Sequence, residues 1–328
     1  MKYFERLLLV WLCASSALAL YWVDLFGEET FDPFVWGELA IKPVIAITMF
    51  CIGWLLPRKE IDEVARRWPT VLGGTAVQYL SMPLLALLIC ILFGIEGDLR
   101  LGVLMAGCVP GAMASNVLTL FSKGNVSYSV GLTTSATLLS PIIVPVALLM
   151  LNSFTDDLPL GKMAVTLLWT VVGPVLAGHL VGRSLPQYEH IAKVVGSLVA
   201  NVAILWIIAV IVGLTRDRIA AASIGLILPL LLLNLLGYAA GYCGAKLMKL
   251  PNSMRRALTL EVGLQNAGLG AMLTLRVLEN ETAAIPTAIY MFGCMLTGTI
   301  LATFWSMQDP SDESDEVTAA QVVTEGQE

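Results

Sequence analysis

Charge is what this sequence has least of. Only 13% of its 328 residues are Asp, Glu, Lys or Arg, and no basic run is suited to nucleic acid. Histidine occurs twice, at His179 and His190, without a second ligand at helical spacing, which argues against a metal role for either. The six cysteines, Cys13, Cys51, Cys90, Cys108, Cys243 and Cys294, lie singly in apolar runs. With no C-x-x-C pair, neither a zinc knuckle nor a disulfide framework is indicated. The chain also lacks G-x-S-x-G, H-E-x-x-H and any Ser/His or paired-Asp arrangement within its apolar segments. These absences argue against an enzyme and against an organic cofactor.

What remains is apolar. Hydrophobic residues make up 57% of the chain and the mean hydropathy is +0.80. That exceeds what the core of a soluble protein of this length needs, so the excess must face lipid. The expected fold is an all-α polytopic membrane protein. Apolar length and punctuation predict ten transmembrane helices, near 7–26, 41–56, 69–93, 99–122, 126–151, 163–180, 194–214, 221–247, 253–277 and 283–307. The first run has a signal-like Ser16-Ala17-Leu18-Ala19, but its apolar stretch continues to spanning length. A basic amphipathic linker from Arg58 to Trp68 is expected at the membrane interface, and residues 309–328 read as a disordered acidic tail. All but six of the 19 Lys and Arg fall on one side of this arrangement; Lys42, Arg100, Lys162, Arg216, Arg218 and Arg276 fall on the other. The positive-inside rule then places both termini in the cytoplasm.

One stretch conflicts with a simple span. Glu261-Val262-Gly263-Leu264-Gln265-Asn266-Ala267-Gly268 puts a carboxylate, two amides and two glycines in mid-helix. An ionisable group at that depth is expensive and marks a functional site, and a glycine-broken backbone there must line a protein cavity. The fourth span carries a matching interruption, Pro110-Gly111-Ala112-Met113-Ala114-Ser115-Asn116. Both are fourth in a set of five helices, and both end in a polar residue followed by Asn. Paired breaks at corresponding positions of two inverted halves point to a transporter's binding site. The division expected is 1–155 and 156–308, two inverted five-helix repeats.

The residues around these breaks offer oxygen ligands for a hard cation such as sodium. Glu261 is the mid-membrane carboxylate; Ser115 and Asn116 flank the first break. Ser129 and Thr133 sit one turn apart on one helix face. Gln78 and Gln265 could serve a second site. Back-bonding of Ser129 and Thr133 to their own helix, and an interhelical hydrogen bond for Gln78, are the structural alternatives. No Lys or Arg falls in the middle of a predicted span, so an anionic substrate would rely on half-helix N-termini, the Asn116 and Asn266 amides and bound cations.

Pro110-Gly111-x-x-x-Ser115-Asn116, Ser129 with Thr133, and Glu261-x-x-x-Gln265-Asn266-x-Gly268 together resemble the bile acid:sodium symporter family, over about residues 5 to 305. The resemblance implies core and panel domains and a crossing of the broken fourth and ninth helices. It also implies one sodium ion at Ser115, Asn116, Ser129, Thr133 and Glu261. A second would sit at Gln78, Glu261, Gln265 and the carbonyls of Val262 and Leu264. Asn266, with Asn116, would face the substrate. Cys294-Met295 stands where some members carry His-Asn, and Met113 where a small hydroxyl residue can occur, so this cavity would be less polar. The cargo implied is a bile acid-like or small keto or hydroxy acid, imported by alternating access with two sodium ions. The setting implied is a monomer in the lipid of a bacterial inner membrane. A proton-coupled or uniport carrier, or a transporter-like sensor signalling through its tail, are the alternatives.

Overall fold

The computed structural model describes residues 8–27, 29–55, 68–151, 158–185, 187, 195–214 and 216–308. The expected interfacial linker up to Arg67, the acidic tail and His190 lie outside these. In chain order the helices are α1 (Leu8–Leu20), α2 (Trp22–Phe26), α3 (Pro33–Trp36) and, after a 3-10 turn at Gly37–Ala40, α4 (Ile41–Leu55). They continue with α5 (Trp68–Phe93), α6 (Gly97–Cys108), α7 (Ala114–Phe121) and α8 (Val126–Leu151). A π turn at Leu168–Val172 joins α9 (Leu160–Leu167) to α10 (Gly173–Ser184). The remainder are α11 (Ser197–Leu214), α12 (Arg216–Leu247), α13 (Asn252–Gly263), α14 (Ala267–Arg276) and α15 (Glu281–Ser306).

Among the described residues, six helical stretches are long and apolar enough to cross a membrane: Pro33–Trp54, Trp68–Phe93, Val126–Leu151, Leu160–Ser184, Gly225–Leu247 and Glu281–Ser306. The predicted fourth and ninth spans are each split into two half-helices, α6 with α7 and α13 with α14, so neither half reaches spanning length. The predicted first span is also interrupted, at Tyr21.

Side-chain distribution shows why these helices suit lipid. On α8 the buried face carries Ser129, Thr133, Thr137 and Ser140, while Leu138, Ile142, Val146 and Leu149 are exposed. On α5, Leu80, Leu84, Leu88 and Ile91 form the exposed face, and Thr75, Gln78, Met82 and Ala86 the buried one. Apolar outside with polar within is the reverse of a water-soluble bundle.

Packing sorts the helices into two groups. One holds α1, α3, α4, α10 and α11; the other holds α5–α8 and α12–α15; α9 packs on α8 of the second and runs on through the π turn into α10 of the first. In the first, Gly53 of α4 and Gly178 of α10 let two backbones touch. A Cβ on Gly53 would lie 2.0 Å from the Val175 carbonyl oxygen, and one on Gly178 2.0 Å from that of Phe50. Small residues at such contacts are how helices associate where no hydrophobic effect draws them together. Ion pairs tie the groups to each other. Asp32, which also caps α3, pairs with Arg216 at the start of α12. Glu38 pairs with Arg276 at the end of α14 (2.5 Å), and Lys162 of α9 with Glu279 (3.1 Å).

Candidate functional site: the crossing of two broken helices

The first break is covalent in origin. α6 ends at Cys108, Val109 is extended (φ −70, ψ 157), and Pro110 has no N–H with which to continue the helix. The chain resumes as α7, with the Ser115 and Asn116 amides donating to the Ala112 and Met113 carbonyls (3.0 and 3.1 Å). The second break has no proline. α13 runs through Gly263, Leu264 is extended (φ −98, ψ 90), and Asn266 caps α14 by accepting from the Leu269 amide (3.2 Å). Gly263 and Gly268 therefore remain helical. The break falls at Leu264–Asn266 rather than at the glycines.

The two breaks meet backbone to backbone. Asn266 N–H donates to the Pro110 carbonyl (2.8 Å) and Ala112 N–H to the Leu264 carbonyl (2.7 Å). Gly111 thus lies opposite Gln265 in one step of antiparallel pairing. This satisfies peptide groups that the interrupted helices leave open, which lipid could not do.

Glu261, in the last turn of α13, sits beside this pairing with 0% of its surface exposed. Its Oε2 accepts from Ser115 Oγ (2.5 Å) and its Oε1 from Thr133 Oγ1 (2.7 Å). Thr133 Oγ1 also lies 3.4 Å from Asn116 Oδ1. Gly111 is closer still: a Cβ there would sit 2.0 Å from Glu261 Oε1. Two hydroxyl donors leave lone pairs of the carboxylate unused. Among the described residues no cationic side chain pairs with it, so the carboxylate is a ready partner for a small cation.

The other predicted ligands divide. Ser129 Oγ accepts from Thr119 Oγ1 (3.3 Å), beside the carboxylate cluster, without bonding to Glu261. Gln78 Nε2 donates to Gln265 Oε1 (3.3 Å), and Gln265 Nε2 donates to the Val262 carbonyl (2.7 Å). Gln78 Oε1 is buried with no hydrogen-bond partner, an uncommon and costly state for a polar atom. A buried open oxygen on an amide that bonds Gln265 fits a hard cation. The substrate candidates divide as well. Met113, Asn116 and Asn266 are half-buried, whereas Cys294 (1%) and Met295 (8%) are enclosed in packing. The Cys294 thiol donates to its own helix at Met291 (3.3 Å).

Sequence reading missed Thr119, Asn234, Tyr290 and Thr297. Asn234 Nδ2 and Tyr290 OH donate to the Gly263 carbonyl (2.8 and 2.9 Å), and Thr297 Oγ1 donates to Asn234 Oδ1 (2.6 Å). A lone amide in the apolar run of α12 was the available signal.

A membrane-embedded helical protein whose broken helices cross beside a buried carboxylate is built as a carrier. The sequence profile of the Sodium Bile acid symporter family matches residues 42–222, and the chain belongs to that family. It is 32% identical over 290 residues to the Bacillus subtilis protein described as "Uncharacterized sodium-dependent transporter YocS", covering 87% of this chain and 89% of that one. It is 26% identical to rice "Probable sodium/metabolite cotransporter BASS2, chloroplastic", covering 94% of this chain and 72% of that one. It is 29% identical to human "Sodium/bile acid cotransporter 4", covering 70% of this chain and 54% of that one. Family and relatives are sodium-dependent membrane transporters, not enzymes.

Proposed function

We propose that this protein is a sodium-coupled symporter that imports an organic anion, bile acid-like or a small keto or hydroxy acid. The observation that carries the reading is Glu261, fully buried, hydroxyl-bonded from α7 and α8, and without a cationic partner among the described residues. One sodium ion is held by Ser115, Asn116, Ser129, Thr133 and Glu261. The second is held by Gln78, Glu261, Gln265 and the Val262 and Leu264 carbonyls; the open Gln78 Oε1 supports it. Asn116, Asn266 and Met113 border the substrate, with Cys294 and Met295 shaping the wall behind them. The names of the relatives, bile acid in one and metabolite in another, support an organic cargo.

Ten spans in two inverted halves, 1–155 and 156–308, account for the two broken helices and the two packing groups. The group with the crossing is the core, and the group of α1, α3, α4, α10 and α11 is the panel that rocks against it. The protein works as a monomer in a bacterial inner membrane with both termini cytoplasmic. Two ions per monoanion suffice energetically. A tenfold gradient supplies about 1.4 kcal/mol per sodium ion. The net charge adds about 2.3 kcal/mol per 100 mV.

The test is uptake of bile acids and small keto acids into proteoliposomes, with sodium or choline outside. Sodium-dependent uptake that Glu261→Ala abolishes, at unchanged protein level, is the expected result. Full uptake by Glu261→Ala overturns the site. Equal uptake in choline overturns sodium coupling in favour of a proton-coupled carrier or a uniporter.

A further inference from the structure

The break after α13 strips partners from consecutive carbonyls, as every helix C-terminus does. Each finds a substitute from a different direction. Val262 O accepts from Gln265 Nε2 (2.7 Å), within its own loop. Leu264 O accepts from Ala112 N–H (2.7 Å), across the crossing. Gly263 O, between them, is gripped from behind by α12 and α15: Asn234 Nδ2 at 2.8 Å and Tyr290 OH at 2.9 Å.

The grip is itself fixed. Gly263 O can only accept, so Asn234 must present its NH2 group there and turn Oδ1 the other way. Two bare oxygens at 2.6 Å would repel, so the Thr297 hydroxyl proton points at Asn234 Oδ1. Asn234 and Tyr290 are each only 1% exposed. The backbone cannot retreat, because a Cβ on Gly263 would lie 2.1 Å from the Tyr238 ring. Tyr238 is anchored in turn through its hydroxyl to the Cys294 carbonyl (3.2 Å). In an extended segment successive peptide groups point to opposite sides. Holding Gly263 O toward α12 and α15 therefore directs the next carbonyl, Leu264 O, toward the crossing.

We infer that Asn234, Tyr290 and Thr297 are positioning residues for sodium coupling: by holding the Gly263 carbonyl they aim the neighbouring Leu264 carbonyl at the ion. This rests on the sodium assignment proposed above. None of the three touches the ion, and the network lies behind the break, on the side of α12 and α15.

The test is thermal unfolding of the purified full chain titrated with sodium chloride, choline chloride holding ionic strength constant, with no substrate added. The transition in choline alone reports packing; the sodium concentration giving half the shift reports the ion site. Asn234→Asp puts an acceptor against Gly263 O and is expected to raise the half-shift concentration about tenfold or more. Tyr290→Phe, which keeps the ring and one of the two donors, and Thr297→Val, which frees the Asn234 amide to turn, should each raise it about threefold. Thr297→Ser keeps the hydroxyl and should titrate as wild type. If Asn234→Asp does not fold, the Tyr290 and Thr297 variants carry the test. Variants that melt lower in choline yet titrate at wild-type sodium concentrations overturn the inference alone, leaving a purely structural network. A wild-type protein indifferent to sodium overturns the sodium assignment and this inference with it.

Discussion

The two breaks reach one geometry by different means. The first is written into covalent structure: Pro110 has no N–H, and the residue before it is driven out of the helical region. The second is made by side chains, Gln265 of the break itself and Asn234 and Tyr290 from other helices, supplying donors that a continuing helix would have supplied. They also place their chemistry on opposite sides of the interruption. Ser115 and Asn116 follow the first break in the opening turn of α7, while Glu261 precedes the second in the closing turn of α13. The N-terminal end of one half-helix is thereby set against a carboxylate at the C-terminal end of another. The α7 dipole favours the negative charge, and the α13 carbonyls, which would oppose it, are satisfied elsewhere.

The strongest way to break this comparison is to fill the space at each break. Gly111→Ala drives a methyl to 2.0 Å from Glu261 Oε1, and Gly263→Ala drives one to 2.1 Å from the Tyr238 ring. Each is expected to cost about 1–3 kcal/mol or more of stability. Combining each with Glu261→Ala in thermal-unfolding cycles separates them. The Gly111→Ala loss should shrink when the carboxylate is absent, and the Gly263→Ala loss should not.

Thr133→Val comes next. It removes the 2.7 Å hydroxyl bond to Glu261 Oε1 while keeping shape, and should raise the sodium needed for half-maximal uptake by about tenfold. Pro110→Ala restores an N–H at the first break and frees Val109 for the helix, and should cost about 1 kcal/mol in chemical or thermal unfolding. A negligible loss would mean that the pairing with Asn266 and Leu264 makes the first break without proline. Smallest of all, Lys162→Ala removes an exposed ion pair with Glu279 and should shift stability by no more than about 0.5 kcal/mol.

The first break was legible because proline acts locally. Of the second, the chemistry was legible and the geometry was not. A carboxylate in an apolar run announces cost from sequence alone, but which residues leave the helix depends on donors from α12, α15 and the opposite break. Glycine misled for the same reason. Gly263 reads as a breaker, yet it stays helical and serves to let Tyr238 approach. Asn234 looked like one polar residue in an apolar helix; its importance is visible only once the Gly263 carbonyl is seen to need it. The long unbroken spans were the easiest part, and Val126–Leu151 matches the predicted boundaries, since helix length against lipid is a one-dimensional constraint.

The central claim is that Glu261 is the shared sodium ligand at the crossing. Isothermal titration of sodium into the purified protein and into Glu261→Gln, which keeps the side chain's shape and removes its charge, tests it most directly. The account predicts saturable, sodium-selective binding to the wild type and none to Glu261→Gln. Equal sodium binding by the two proteins would contradict it.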